Sequence, residues 1–254
     1  MKNIRVILTM LLLSCIALPA MAQDDFGMWY GIGAEKSLGK KWAVEAEAEF
    51  RNRNDLKTAD RWKVGASASY KIVKGLKVAA GYDFLYKNNE EKITFHDDGS
   101  VNKWTPCYWS PRHRFNASIS GSKTFGRLSV QLRERWQYTY RRIAYEKKYD
   151  LDKYNTTTGT WNEIPEDVGE KGKNVLRSRL QLSYDIPKSK VDPFVSAELF
   201  NAWNIQEVRY IAGLEYKLKK KHVFNLTYRY QRVTASDSDD ENCHFIGLNY
   251  KYKF

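Results

Sequence analysis

The chain has 254 residues, with 42 Lys and Arg against 30 Asp and Glu, a formal net charge of +12 and 14% aromatic residues. Beyond the N-terminal region, no apolar stretch reaches the roughly 20 residues that a transmembrane helix needs, which excludes a helical membrane protein. The length suits one barrel or one large β-domain, and the basic surplus suits nucleic acid, anionic lipid or an anion-lined pore.

The first predicted element, residues 1–22, is a secretory signal peptide that is cleaved before the mature domain at 23–254. Its start is basic, its run from Val6 to Pro19 is almost wholly apolar, and Ala20-Met21-Ala22 has the small-x-small pattern of a cleavage site. A lipoprotein site at Cys15 is the alternative. Because the chain is exported, no nucleic-acid partner is expected.

Alternation of apolar and polar residues with a period of two dominates the mature chain and predicts β-strands. In one segment Trp42, Val44 and Phe50 share one face, while Glu45 and Glu47 share the other. The clearest segments are 29–38, 42–53, 61–72, 76–87, 114–120, 128–141, 177–184, 208–218, 224–231 and 246–254. Several exceed the roughly 5–6 residues of an ordinary globular strand and match the roughly 9–11 that cross a bilayer at a tilt.

The apolar rows carry aliphatic residues and Ala at their centres and aromatic residues at their ends, which is typical of a lipid-facing band between two aromatic girdles. Short connections alternate with long ones, such as 87–111 and 143–173, as in outer-membrane barrels. We therefore predict an all-β, transmembrane, antiparallel up-and-down β-barrel of about 10–12 strands in the bacterial outer membrane. About 11 segments are found, whereas single-chain bacterial barrels have even strand numbers. Either a strand lies in a long loop, or the segment 29–38 does not span.

Several sequence features resemble one family of bacterial outer-membrane barrels, grouped as domain of unknown function 2490. They are the exported start, the alternating aromatic hairpins, the segments 110–115 and 133–138, and the terminal Phe254. The resemblance covers the mature chain and implies a fold and a location, with no activity. In outer-membrane barrels generally, a C-terminal strand that ends in Phe is recognised by the barrel-assembly machinery, and Tyr250, Tyr252 and Phe254 resemble that assembly signal.

The polar faces of the predicted strands are dense in charge and are expected to line the lumen. The residues predicted to form this charge network are Glu45, Glu47, Glu49, Arg51, Arg61, Arg114, Arg133, Arg135, Arg177, Arg179, Arg209, Glu215 and Arg229. Asp83 and Glu198 are further acidic residues of the inward phase. Barrels of about 8 strands are filled by side chains, whereas 16 or more leave a channel. The network therefore either fills and stiffens the lumen through Arg–carboxylate pairs or lines a narrow pore that favours anions.

An enzyme is the alternative from another functional class. His113 and His244 lie on the apolar phase near the long loops, but no nucleophile with a base and an orienting group can be assigned to them. A solvated loop explains His96 beside Asp97-Asp98, and the acidic run at 237–241 lacks the spacing of a defined calcium loop. No catalytic residue, metal site or cofactor is predicted.

The expected function is that of a non-enzymatic integral barrel, structural or a narrow pore, in contact with outer-membrane lipid. Two alternatives remain open, a lipid-modifying enzyme with a site at the extracellular rim and a soluble exported lipid-binding β-barrel. Long strands with aromatic ends speak against the soluble barrel, because such a protein turns its apolar rows inward.

The two cysteines of the mature chain, Cys107 and Cys243, lie in or beside long loops on the same predicted rim. An exported pair of cysteines can oxidise, so a disulfide between them is possible if those loops meet. Two unpaired thiols are the alternative.

Overall fold

The computed structural model describes residues 24–219, 221–235 and 242–254, with the side chains of all but residues 144, 145 and 165–168. The predicted signal peptide and the acidic run at 237–241 lie outside the described residues. Within those ranges, no helix is long and apolar enough to cross a membrane. The strands of the described part are β1 Asp25–Leu38, β2 Trp42–Arg53, β3 Thr58–Val73, β4 Leu76–Asn89, β5 Lys92–Phe95, β6 Val101–Thr105, β7 Tyr108–Phe125, β8 Leu128–Arg141, β9 Ala144–Asn155, β10 Thr160–Val168, β11 Lys171–Tyr184, β12 Val191–Ala202, β13 Asn204–Leu218, β14 His222–Val233 and β15 Cys243–Lys253.

Eleven of these strands close into one barrel in the order β1-β15-β14-β13-β12-β11-β8-β7-β4-β3-β2. The predicted all-β barrel of about 10–12 strands is confirmed. Connections between strands are short on one edge, which we call the short-turn rim, and longer on the other, the long-loop rim. Outer-membrane barrels have short periplasmic turns and longer extracellular loops, so the long-loop rim is the extracellular one.

One parallel junction accommodates the odd number of strands, because β1 closes the barrel by pairing with β15 in the same direction. The register runs from Asp25 beside Cys243 to Glu35 beside Lys253, and the amide of Phe254 donates to the carbonyl of Glu35 at 2.9 Å. The first predicted segment is therefore a complete strand. The prediction of antiparallel pairing throughout is wrong at this junction, since an odd number of alternating strands brings its two end strands together in parallel.

Two long connections on the long-loop rim contain strands of their own. The hairpins β5–β6 and β9–β10 form a four-stranded sheet in the order β10-β9-β6-β5. Trp104 of β6 stacks on Tyr149 of β9, with the ring centroids 5.3 Å apart. The sequence predicts plain loops here, because these segments lack the sustained alternation of the barrel strands.

The outer wall of the barrel exposes its apolar rows. Ile32, near the middle of β1, is 65% exposed. Phe50 packs on Trp62 near the long-loop rim with ring centroids 4.3 Å apart, and Trp42 packs on Tyr70 near the short-turn rim at 4.9 Å. A closed barrel with an apolar outer band and aromatic belts is the β architecture that a bilayer accepts. The predicted outer-membrane location is thereby confirmed.

One carboxylate interrupts this lipid-facing band. Glu134 follows the outward phase of β8 between Leu132 and Trp136, which are 52% and 46% exposed. Its neighbours across the sheet are Ile119 on β7 and Ser178 on β11, and the hydroxyl of Ser178 donates to Oε2 of Glu134 at 2.6 Å. The serine offsets part of the unfavourable free energy of a carboxylate in the middle of an apolar band.

Replacing Glu134 by Leu is expected to raise the free energy of unfolding by about 1–2 kcal/mol, because a charged group on the lipid face destabilises a barrel near mid-membrane. Urea unfolding of the refolded barrel in lipid vesicles measures the change. Ser178→Ala should lower the free energy of unfolding of the native barrel by about 1 kcal/mol. The same substitution should have almost no effect in a barrel that already carries Glu134→Leu. A loss of stability in Glu134→Leu would contradict this account of the residue.

Candidate functional site

The inward side chains of the barrel meet at mid-height in a packed cluster, the lumen plug, formed by Trp29, Arg51, Glu198, Arg209 and Arg229. The exposed fractions of Trp29, Glu198 and Arg209 are 7%, 1% and 4%. The members come from β1, β2, β12, β13 and β14, and β2 and β12 lie five strands apart around the barrel. The plug therefore joins opposite walls of the lumen.

Glu198 on β12 is the acidic centre of the plug. The strand register places it directly between Arg179 on β11 and Arg209 on β13. Its carboxylate binds Arg177 at 2.5 Å and Arg133 at 3.3 Å, with Arg209 and Arg179 at 3.7 and 3.9 Å. A buried carboxylate is tolerated when cations and hydrogen bonds surround it. Glu198 in turn holds together four guanidinium groups that would otherwise repel one another.

Trp29 on β1 is the aromatic centre of the plug. The guanidinium carbon of Arg51 lies 3.2 Å from the indole centroid, and those of Arg229 and Arg209 lie 3.7 and 5.4 Å away. Phe245 meets the same ring edge-on with the centroids 6.2 Å apart. Cation–π attraction is stronger away from water, so burial favours these contacts. Arg209 contacts both centres and links the two halves of the plug.

A chain of ion pairs along β2 and β3 supports the plug from one wall. Nε of Arg51 donates to Glu49 at 2.7 Å, and Nζ of Lys63 lies 3.4 Å from the same carboxylate. Lys63 also binds Glu47 at 2.6 Å. Because successive inward residues of β2 are two apart, this strand presents a continuous row of carboxylates to the lysine. The row fixes Arg51 where it covers the tryptophan.

Two cavities lie on either side of the plug. The long-loop cavity, towards the long-loop rim, has a volume of about 170 Å³, and the short-turn cavity, towards the other rim, has about 600 Å³. Five residues border both cavities: Arg51, Leu85, Arg114, Gln137 and Arg177. Leu85 is 2% exposed. These side chains form the partition between the two spaces.

Three of the predicted lumen residues, Arg61, Arg114 and Arg135, do not join the plug. Arg61 binds Asp60 at 2.8 Å, and Nε of Arg114 donates to the hydroxyl of Thr139 at 3.0 Å. Arg135 lines the short-turn cavity. They lie on the lumen wall around the plug.

The predicted residues nearest the short-turn rim form separate, more exposed pairs. Glu45 binds Lys251 of β15 at 2.5 Å, and Glu215 binds Lys217 of its own strand at 2.9 Å. The side chain of Glu215 is 33% exposed and that of Lys217 is 48% exposed. These two pairs lie away from the buried cluster.

Sequence reasoning placed Lys63 and Glu198 among the inward charges without assigning them a central role, and it did not single out Trp29. The sequence does contain a signal for Trp29. Gly31 and Gly33 lie on the same face of the strand, and because glycine has no side chain, that face leaves room in the lumen for a large aromatic ring. Glu198 is recognisably inward, but its partners depend on which strands are neighbours and on their register. Those relations are absent from the local pattern.

Both cysteines of the described chain are free thiols, Cys107 exposed and Cys243 buried. Of the two alternatives that the sequence leaves open, this structure has the unpaired thiols and no disulfide between them. Cys243 begins β15 on the same inward phase as Phe245, and its Sγ lies 3.6 Å from Oδ2 of Asp25. Cys107 lies in the connection between β6 and β7. One thiol is thus turned towards the lumen, and the other is in the long-loop region.

The histidines weighed as catalytic candidates bind other groups. His113 and His244 share hydrogen bonds of 2.7 Å with the hydroxyls of Tyr82 and Tyr228 on the outer wall. His96 lies in a loop and contacts a carboxylate of β9 at 2.8 Å. Within the described ranges, no group of three His, Cys, Asp or Glu residues is arranged to hold a metal ion.

Comparison with known proteins identifies a family and a fold. The model of the family described as protein of unknown function (DUF2490) matches residues 26–242. The beta domain of the Bordetella autotransporter BrkA superposes with a TM-score of 0.51 at 13% identity, over 84% of this chain and 82% of that chain. The NanC porin superposes with a TM-score of 0.43 at 14% identity, over 86% and 93%. No curated protein matches the sequence. The likeness to the BrkA domain shows the barrel fold alone.

Replacing Glu198 by Gln is expected to lower the free energy of unfolding by about 3–5 kcal/mol, because it leaves buried guanidinium groups without their shared counter-charge. Urea unfolding in lipid vesicles measures the loss. Glu215→Gln is the matched control and should change stability by less than about 1 kcal/mol, since its ion pair is exposed. Equal losses in the two variants would show that the stability of the barrel does not depend on the Glu198 cluster.

Proposed function

We propose that this chain, which belongs to the DUF2490 family of proteins of unknown function, is a non-enzymatic outer-membrane barrel whose lumen is closed at mid-height by the plug. In this proposal the barrel is a sealed structural element of the membrane in its resting state. Its partner is the surrounding outer-membrane lipid.

The observation that carries the proposal is the burial of charged and aromatic side chains at the centre of the barrel. Glu198 is 1% exposed, and Trp29 is 7% exposed although it projects into the lumen. A lumen that passed water and ions at this height would expose both side chains. Hydrogen-bonded arginine–carboxylate pairs and cation–π contacts hold these side chains in place. In this proposal the lumen is therefore closed by specific packing of side chains.

A non-enzymatic role is supported by the outward histidines. Each uses Nδ1 in a hydrogen bond with a tyrosine, and the imidazole of His244 is stacked on Tyr230 with the ring centroids 4.7 Å apart. A catalytic His needs a nucleophile on one nitrogen and an orienting group on the other. Nε2 of His244 lies 3.5 Å from a carboxylate oxygen of Asp24, but the hydroxyl of Tyr228 occupies Nδ1. These contacts hold the two histidines in the aromatic girdle.

A narrow path for anions is the second candidate, favoured by the charge beside the plug. Four arginine side chains surround the single carboxylate of Glu198. A ring of fixed positive charge selects anions in a pore. For a path to open, Trp29 and the guanidinium groups stacked on it must move.

Assembly through the last strand is also part of the proposal. Tyr250, Tyr252 and Phe254 lie on the outward phase of β15, and the rings of Tyr252 and Phe254 meet edge-on at 4.7 Å. Phe254 is 67% exposed. An exposed aromatic row at the closing edge supports recognition of this strand by the barrel-assembly machinery before β1 pairs with it.

Conductance in planar bilayers tests the closed lumen. The native barrel should give no steady current, whereas Trp29→Ala should give discrete steps with a preference for anions, because the stacked arginines lose their support. Trp42→Ala is the matched control, since Trp42 is 52% exposed on the outer wall. It should behave as the native barrel. A steady native current equal to that of Trp29→Ala would contradict closure by the plug.

A further inference from the structure

The long-loop cavity carries a concentration of positive charge that the plug does not account for. Of the 17 residues that line it, 10 are Arg or Lys and one is acidic, Glu207. That single carboxylate already binds Arg209 at 2.5 Å and is 7% exposed. Arg51, Arg61 and Arg177 also bind carboxylates, which lie outside the cavity lining. The positive excess therefore lies among the cations nearer the rim, which include Arg141, Lys171 and Lys173.

Two of these cations have neutral hydrogen-bond partners. Lys173 donates to the side-chain amide oxygen of Gln206 at 2.7 Å, and Arg141 donates to the carbonyl of Gly169 at 3.2 Å. Arg114 differs from them, because the strand register places Asp83 directly opposite it. Neutral acceptors satisfy the donors geometrically but leave the charges without compensation. In a confined space with little water, uncompensated like charges are unfavourable.

The cavity is also bounded on its inner side. The five side chains that border both cavities form the partition to the short-turn cavity, so in a closed lumen a molecule entering from the long-loop rim stops there. The volume of about 170 Å³ equals the space that roughly five or six water molecules occupy in the liquid. That volume suits a small ion and excludes a polymer or an acyl chain.

We propose that the long-loop cavity is a binding site for a small oxyanion of the phosphate or carboxylate class that carries two or more negative charges. Guanidinium groups bind both anions through paired N–H donors, and the lysines add point charges. The site goes beyond the proposed function, because a sealed barrel can still bind an anion on its extracellular side. The neutral partners of Lys173 and Arg141 become orienting groups for cations whose counter-charge is the ligand.

Isothermal titration of the complete mature barrel in a non-ionic detergent, with inorganic phosphate at constant ionic strength, tests the proposal. Detergent removes phospholipid, so the signal comes from the free anion. Saturable binding to one site is expected. Arg141→Gln and Lys173→Gln should each weaken it about tenfold, the usual effect of losing one charge-assisted contact. The two residues lie on different strands near the rim, so either variant keeps the test valid if the other does not fold.

Lys77→Gln is the matched control, because Lys77 lines the short-turn cavity, and it should leave the affinity within about twofold. No saturable binding to the native barrel, or equal weakening by Lys77→Gln and Lys173→Gln, would overturn the site. Saturable binding together with a steady native current would overturn the closed lumen alone. Absence of both binding and current would overturn the anion site alone.

Discussion

Glu198 is the constraint on which the centre of the barrel depends. Four arginines of β8, β11 and β13 point towards mid-height, and the register of β11, β12 and β13 leaves one carboxylate directly between Arg179 and Arg209. On β8 and β11, Arg133 lies opposite Arg179, an arrangement that is destabilising in isolation. The shared carboxylate makes this wall possible, and the wall positions Arg209 against Trp29.

The plug lies between two spaces that are both lined mainly by cations. The short-turn cavity is the wider one, and 12 Arg or Lys and four acidic residues line it. The long-loop cavity is lined by ten Arg or Lys and by Glu207, which already binds Arg209. In the account proposed above, the plug closes the lumen, and the cations nearest the long-loop rim bind anions from the extracellular side.

The strands, their faces and the lipid-exposed wall were predictable from the sequence, because each depends on an alternation within a single segment. The closing pair was not, since parallel pairing of β1 with β15 follows from the total number of strands and from no local pattern. For the same reason the central role of Glu198 was not predictable, since its partners lie on other strands and depend on the register. Glu134 on the lipid-facing side was not recognised from the sequence, because one carboxylate does not disturb a row of six apolar residues. The hairpins β5–β6 and β9–β10 lie outside the bilayer, where no apolar face is required.

Sidedness of labelling at Ser69 tests the central claim, that the plug seals the lumen, most directly. Ser69 lines the short-turn cavity. In a background with Cys107 and Cys243 replaced by Ser, Ser69→Cys in oriented vesicles should react with a small, charged, membrane-impermeant thiol reagent that is added on the short-turn side. The same reagent added on the long-loop side should leave it unmodified. Equal rates of modification from the two sides would contradict a lumen closed by Trp29 and its arginines.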